Sequence, residues 1–250
     1  MSTRIKALFD PVEREPAYMR VSAAIEAKIL SRELKDGDPL PAETDLAQQF
    51  RVHRSTVREA LRQLENAGLV ARPPGAKRLL VSRPHADKLA LGMRQALVLH
   101  DVSFVAVWEA MMVIEPEVAA LAATRRTQAE IQTLLELNRA FAEQAAAAGN
   151  GQQAVALVID FFELLGVCAR NQVLVLAKYP LAQVLAPSLA QVMDRVSQAR
   201  SRIVTAQRNI IAALQARDTD EARKWMAKHV RDFKRGYEVA GISPDAAVSI

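Results

Sequence analysis

One cysteine in 250 residues, Cys168, excludes an intramolecular disulfide and any zinc site built on several thiolates. Glycine is sparse at nine residues and aromatics make up only 5% of the chain. Alanine, leucine, arginine and valine are the commonest residues, and the weight of alanine, leucine and arginine favours helix and argues against a sandwich or barrel. No run approaches 18 uncharged apolar residues, so no bilayer-spanning segment is expected. The first residues, MSTRIKALFDPVEREP, are broken by charge every few positions and lack the apolar centre of a signal peptide. Half of the residues are nonetheless apolar and 24% are charged, enough for one or two cores. The expectation is a soluble, reduced, cytoplasmic protein.

Net charge is only +5, but it is unevenly placed. Residues 47–84 hold eight basic side chains (Arg51, Arg54, Arg58, Arg62, Arg72, Lys77, Arg78, Arg83) against Glu59 and Glu65. A local basic block on a balanced chain is the footprint of a nucleic-acid module, although a solvated helix face has the same composition. The pattern around the charge decides between them.

In residues 17–34, Val21, Ile25, Ile29 and Leu30 repeat at helical spacing. KDGDPLP (35–41) punctuates that helix. AETDLAQQF then sets Leu46, Ala47 and Phe50 on one side of a short second helix. After the brief turn RVH, STVREALRQLENAGL places Val57, Leu61 and Leu64 inward, with Arg54, Arg58 and Arg62 as a separate outward ridge. Gly68 suits a left-handed cap. LVARPPGAKRLLVS reads as a two-stranded wing with Gly75 at its tip and Lys77 and Arg78 beside it. Two short helices, a tight turn and a hairpin describe a winged helix-turn-helix, whose second helix enters the major groove. Arginine suits that place because its guanidinium reaches guanine O6 and N7 with two hydrogen bonds.

The stretch PLPAETDLAQQFRVHRSTVREALRQLENAGLV resembles the GntR family of bacterial transcription regulators. The resemblance implies that Arg54, Ser55, Thr56 and Arg58 contact double-stranded operator DNA, with Gly75 meeting the minor groove or backbone and Lys77 beside it. Two positions depart from the family. Thr44 replaces an arginine, removing or weakening one DNA contact. His53 replaces a small hydroxyl residue that caps the recognition helix, so Ser55 or Thr56 is expected to cap instead. His53 itself is either a phosphate contact or an exposed bystander.

Residues 85–100 read as a partly helical linker. Beyond them apolar residues recur at 3–4 spacing, as in Val155, Val158, Phe162 and Leu165, or Ile203, Ile210, Ile211 and Leu214. Breaks are expected near Thr127, Gly149–Gly151, Asn171, Pro180, Pro187 and Asp218. The fold expected is mainly α: a winged helix-turn-helix (17–84) followed by an all-α antiparallel bundle of six or seven helices (101–241), with tails at 1–16 and 242–250. VWEAMMVIEPEVAALAA, DFFELLGVCARNQVL and AQRNIIAALQARDTDEARKWMAKHV resemble the FCD-type effector domain of the FadR subfamily.

That resemblance implies dimerisation and a small-molecule pocket, in many members built around a divalent metal held by an aspartate and three histidines. Those positions fall here on Val158, Phe162, Gln207 and His229. Only His229 is a ligand, and one imidazole cannot hold a divalent ion, so no metal or other cofactor is expected. The alternative is a rebuilt site of Asp160, His229 and Glu163. Met111 stands where many members have an anion-binding arginine. An effector pocket of Met111, Val158, Phe162, Gln207 and His229 then suits an apolar organic acid or an acyl-CoA-like molecule fixed by one or two hydrogen bonds. Cys168, Trp108 and Trp225 read as core, His85 and His100 as linker residues, and Glu109 and Glu115 as ordinary helix carboxylates. No phosphate loop, GxSxG or HExxH is present.

The function expected is that of a ligand-responsive, sequence-specific regulator, usually a repressor, acting as a homodimer on a short palindrome with no membrane partner. A helical enzyme fused to a DNA-binding head, an effector-free dimeric DNA binder and a sequence-tolerant architectural binder are the alternatives.

Overall fold

The computed structural model describes residues 15–84, 86–146 and 151–248, with the backbone alone for 86–89 and 151. His85, two residues of the expected break (Gly149 and Asn150) and most of the expected N-terminal tail lie outside them. Two compact units divide between Lys88 and Leu89.

In the first unit, α1 (Ala17–Leu30), α2 (Glu43–Phe50) and α3 (Arg54–Ala67) pack around one core. Val21 and Ile25 of α1, Leu46 and Ala47 of α2, and Val57, Leu61 and Leu64 of α3 are buried there, as the spacing predicts. Leu30 is not; it stands 69% exposed, because at about 100° per residue it points away from the face of Val21, Ile25 and Ile29. The α2–α3 turn works because Arg51 adopts the left-handed conformation (φ 53°), and Gly68 (φ 77°) closes α3 in the same way. β1 (Val70–Ala71) and β2 (Leu80–Val81) pair antiparallel, Val70 opposite Val81, and Gly75 (φ 79°) turns the wing between them. An isolated bridge from Pro39 to Leu80 ties the α1–α2 connection to the wing.

α4 (Ala86–Leu99) occupies the expected linker and runs across the division into the second unit. It is followed by α5 (Phe104–Arg125), α6 (Gln128–Ala146), α7 (Gly151–Cys168), α8 (Gln172–Arg195), α9 (Ala199–Ala216) and α10 (Thr219–Val239). α10 packs on α5 and α9, α7 on α6 and α8, and α6 on α9. The helix starts are written locally. Ser103, Asn171 and Asp218 accept backbone N–H groups of α5, α8 and α10, and Arg126 donates to the Leu214 and Gln215 carbonyls at the end of α9. Val248, expected in a free tail, is buried: its N–H reaches Val102 O, while Ala246 and Pro244 carbonyls accept from the first N–H groups of α5.

One expectation fails on α8. Pro180 and Pro187 do not break it, although an internal proline costs about 3 kcal/mol. Burial of Leu181, Val184, Leu185, Val192 and Met193 along the same helix outweighs that penalty. By length and composition α8 would also be long enough to cross a bilayer, which for a single helix interrupted by Lys178 does not overturn the expectation of no spanning segment. In the fold it packs on α7 and α5, and its buried Lys178 pairs with Glu115 and donates to the Phe162 carbonyl.

Candidate functional site

The first unit presents the N-terminal half of α3. Its core stripe is turned inward, so His53, Arg54, Ser55 and Arg58 are exposed and Thr56 is half-exposed. His53 is the N-cap residue, but no side chain caps α3, neither His53 nor the expected Ser55 or Thr56. The reason is geometric: α3 begins at Arg54, so both hydroxyl residues already have helical backbone and cannot reach back to the N2 or N3 amides. The Thr56 N–H donates to the His53 carbonyl at 3.0 Å, and the exposed start of the helix, with Arg54 and Ser55 beside it, suits phosphate oxygens. Thr44 is taken up locally by Asp45.

Arg58 is held, not free. Its Nε and Nη2 donate to Glu43 Oε2 at 3.3 and 3.0 Å across the α2–α3 angle. The Arg58 hydrogen bond, aided by the charges of Arg58, Arg54 and Arg72, holds the Glu43 carboxyl below the usual carboxylate range. Sequence reading overlooked Glu43, though its place fifteen residues before Arg58 on the preceding helix was the available signal. In the wing, Gly75 and Lys77 are exposed, and Arg72 donates to the Lys77 carbonyl at 2.8 Å, bracing the turn.

The second unit contains a cavity of about 460 Å³, within the usual range for small-molecule sites. Met111, Val158, Phe162 and His229 line it, as expected. Gln207 does not. Fully buried between α6 and α9, it accepts from Asn138 Nδ2 at 3.0 Å, because the residues packed around it face α6 and not the cavity. Trp108 is likewise outside the lining and donates to Val230 O, tying α5 to α10. Burial pushes the Cys168 thiol up to about 12, so it is a core residue without thiolate character.

The donor set does not fit a divalent metal. Val158 and Phe162 offer no ligand atom, Gln207 is turned away, and Asp160 is exposed and off the cavity wall. Among the described residues, no three of histidine, cysteine, aspartate and glutamate converge.

Phe162 instead stacks on the His229 imidazole, ring centres 4.9 Å apart. Desolvation lowers His229 from its ordinary 6.5 to about 4, against a weaker opposing effect of Asp232, so the ring is neutral at physiological pH. The unfolded chain takes up that proton near 6.5 and the folded chain does not until about 4. His229 therefore contributes a loss of stability as pH falls through that window. His229→Phe is expected to be relatively more stable than the parent at about pH 4.5 than at about pH 7.5 in urea unfolding. An unchanged difference between the two pH values would contradict the neutral-ring assignment.

The cavity also carries charges that sequence reading missed. Lys178 Nζ donates to Glu115 Oε1 (3.0 Å), Glu115 Oε2 (3.2 Å) and the Phe162 carbonyl (3.0 Å), and both charged side chains are buried. Lys178 was visible as a lone charge inside an apolar stretch. Glu115 was passed over as an ordinary helix carboxylate. Arg195, Arg202 and Arg235 line the cavity as exposed residues, so they stand at its mouth.

Comparison with known proteins agrees with both units. Residues 17–76 match bacterial regulatory proteins of the gntR family, and residues 106–232 match the FCD domain. The HTH-type transcriptional repressor NanR of Cronobacter sakazakii is 27% identical over 227 residues, covering 88% of this chain and 85% of that protein. NanR of Escherichia coli K12 is 26% identical over 238 residues, covering 92% and 88%. A solved Streptococcus agalactiae GntR structure is similar in fold, with a TM-score of 0.64 and 23% identity over 87% of this chain and 99% of its own. The chain belongs to the GntR family of bacterial regulatory proteins, with an FCD domain as its C-terminal part, and is a transcription regulator rather than an enzyme.

Proposed function

We propose that the protein is a ligand-responsive repressor that binds a short palindromic operator as a homodimer in the bacterial cytoplasm. The single observation that carries the DNA-binding part is the uncapped, outward N-terminal half of α3, with Arg54, Ser55, Thr56 and Arg58 presented together beside a braced wing. His53, Gly75 and Lys77 flank that surface as backbone contacts. NanR, its relative, is named as a repressor, which supports the same mode here.

The effector part rests on the cavity. Met111, Val158, Phe162 and neutral His229 form a wall suited to an apolar-bodied ligand fixed by few hydrogen bonds, an organic acid or acyl-CoA-like molecule. Effector binding acts by shifting the dimer between geometries that match and mismatch adjacent grooves, a coupling of about 1–3 kcal/mol. Selection of bound duplexes from a randomised DNA pool tests the reading. An enriched inverted repeat is expected, protected in both halves on footprinting. Enrichment of no sequence would mark a sequence-tolerant binder, and a single half-site would remove the dimer.

A further inference from the structure

We infer that the cavity takes an amphipathic anion oriented with its charged head at the Arg195–Arg202–Arg235 mouth and its apolar body against the inner wall. The inference rests on the reading of this cavity as the effector site and adds the ligand's charge and direction.

The charges on the wall sort by depth. Deep in the cavity, Lys178 and Glu115 cancel, and the ammonium group is already directed at Glu115 and the Phe162 carbonyl. His229 is neutral, held there by desolvation. An anionic head placed inside would lose its hydration and meet no net positive charge, an unfavourable combination. Glu163, half-buried on the same wall, is already engaged within the chain and adds only negative charge.

The mouth is different. Arg195, Arg202 and Arg235 face one carboxylate there, Asp232, which approaches Arg202 only to 3.9 Å. Arg195 donates to the Ala240 carbonyl at 3.3 Å, which spends no charge. The Arg235 guanidinium has no hydrogen bond or ion pair among the described residues. Two positive charges are thus left uncompensated at a water-accessible opening, where an anion keeps part of its hydration and still meets guanidinium donors. The remaining wall, with Val158, Phe162, Ala182, Leu185, Leu189 and Ile203, offers apolar surface.

The test is isothermal titration of the full-length protein with four ten-carbon probes: decanoate, decyl phosphate, decanol and decyltrimethylammonium. Decanoate or decyl phosphate is expected to bind about tenfold or more tightly than decanol, with the ammonium weakest. Preference for one of the two anions identifies the head as carboxylate or phosphate. In R202Q/R235Q, two exposed changes that leave the core intact, anion binding falls to the decanol level while decanol binding is unchanged. In E115L/K178M the preference for anions persists. A preference that survives R202Q/R235Q and vanishes in E115L/K178M would reverse the orientation. Equal affinity for all four probes, or no binding by any, would overturn the inference. Failure of the regulator reading shows elsewhere, as the absence of an enriched operator.

Discussion

Arg58→Ala lowers affinity for the selected operator by roughly 5- to 150-fold at fixed salt, the loss expected for one bidentate base contact. The expectation follows from how the side chain is held. Arg58 stands on the outward face of α3, one turn after Arg54, and Glu43 fixes its guanidinium from α2 before any DNA arrives. A guanidinium already ordered loses less side-chain entropy when it meets a guanine edge. Arg58→Lys keeps the charge but not the planar fork. If Arg58 reads a base, lysine is nearly as damaging as alanine and relaxes specificity at one operator position. If it touches phosphate, lysine restores most of the affinity and alanine reduces the salt slope by about one. Fluorescence anisotropy at several salt concentrations separates the two. Unchanged affinity for Arg58→Ala at matched salt would remove α3 from the DNA interface.

Lys178→Met alone is expected to destabilise the second unit by about 3–5 kcal/mol, because it leaves the Glu115 carboxylate buried without its cation. Changing both partners, E115L/K178M, is expected to recover most or all of that loss, since an apolar pair of similar volume needs no compensation. Urea unfolding of the parent, the single and the double variant forms the cycle. If the single variant is as stable as the parent, Glu115 has another partner, and the closed ion pair is not what shapes the inner wall. The result matters to ligand binding, because a wall closed by a neutral pair is the reason the anionic head belongs at the mouth.

Much of this architecture was legible in the residues. Period and punctuation carried the first unit: the inward stripe of Val57, Leu61 and Leu64 fixed the face of α3, and Gly68 and Gly75 marked the turns that require positive φ. What failed were judgements in which tertiary packing outweighs a local rule. Pro180 and Pro187 carry a local penalty that burial of one helix face exceeds, so α8 runs on. Leu30 was read into the α1 stripe, but its helical angle turns it away from the face of Val21, Ile25 and Ile29. Gln207 was placed in the pocket by alignment, whereas its side chain meets Asn138 on α6. The charged part of the cavity was missed for a related reason. Glu115 and Lys178 are 63 residues apart, and Arg195, Arg202 and Arg235 come from α8, α9 and α10; only the fold brings them together. Lys178 alone announced itself, as a charge with no reason to be inside an apolar helix.

On the proposed reading, the cavity of the helical unit holds an organic ligand without a metal. Native mass spectrometry of the protein purified without chelator tests it most directly. A dimer carrying an organic adduct and no metal is the expected result; a dimer with one divalent ion bound per subunit would contradict the proposed pocket.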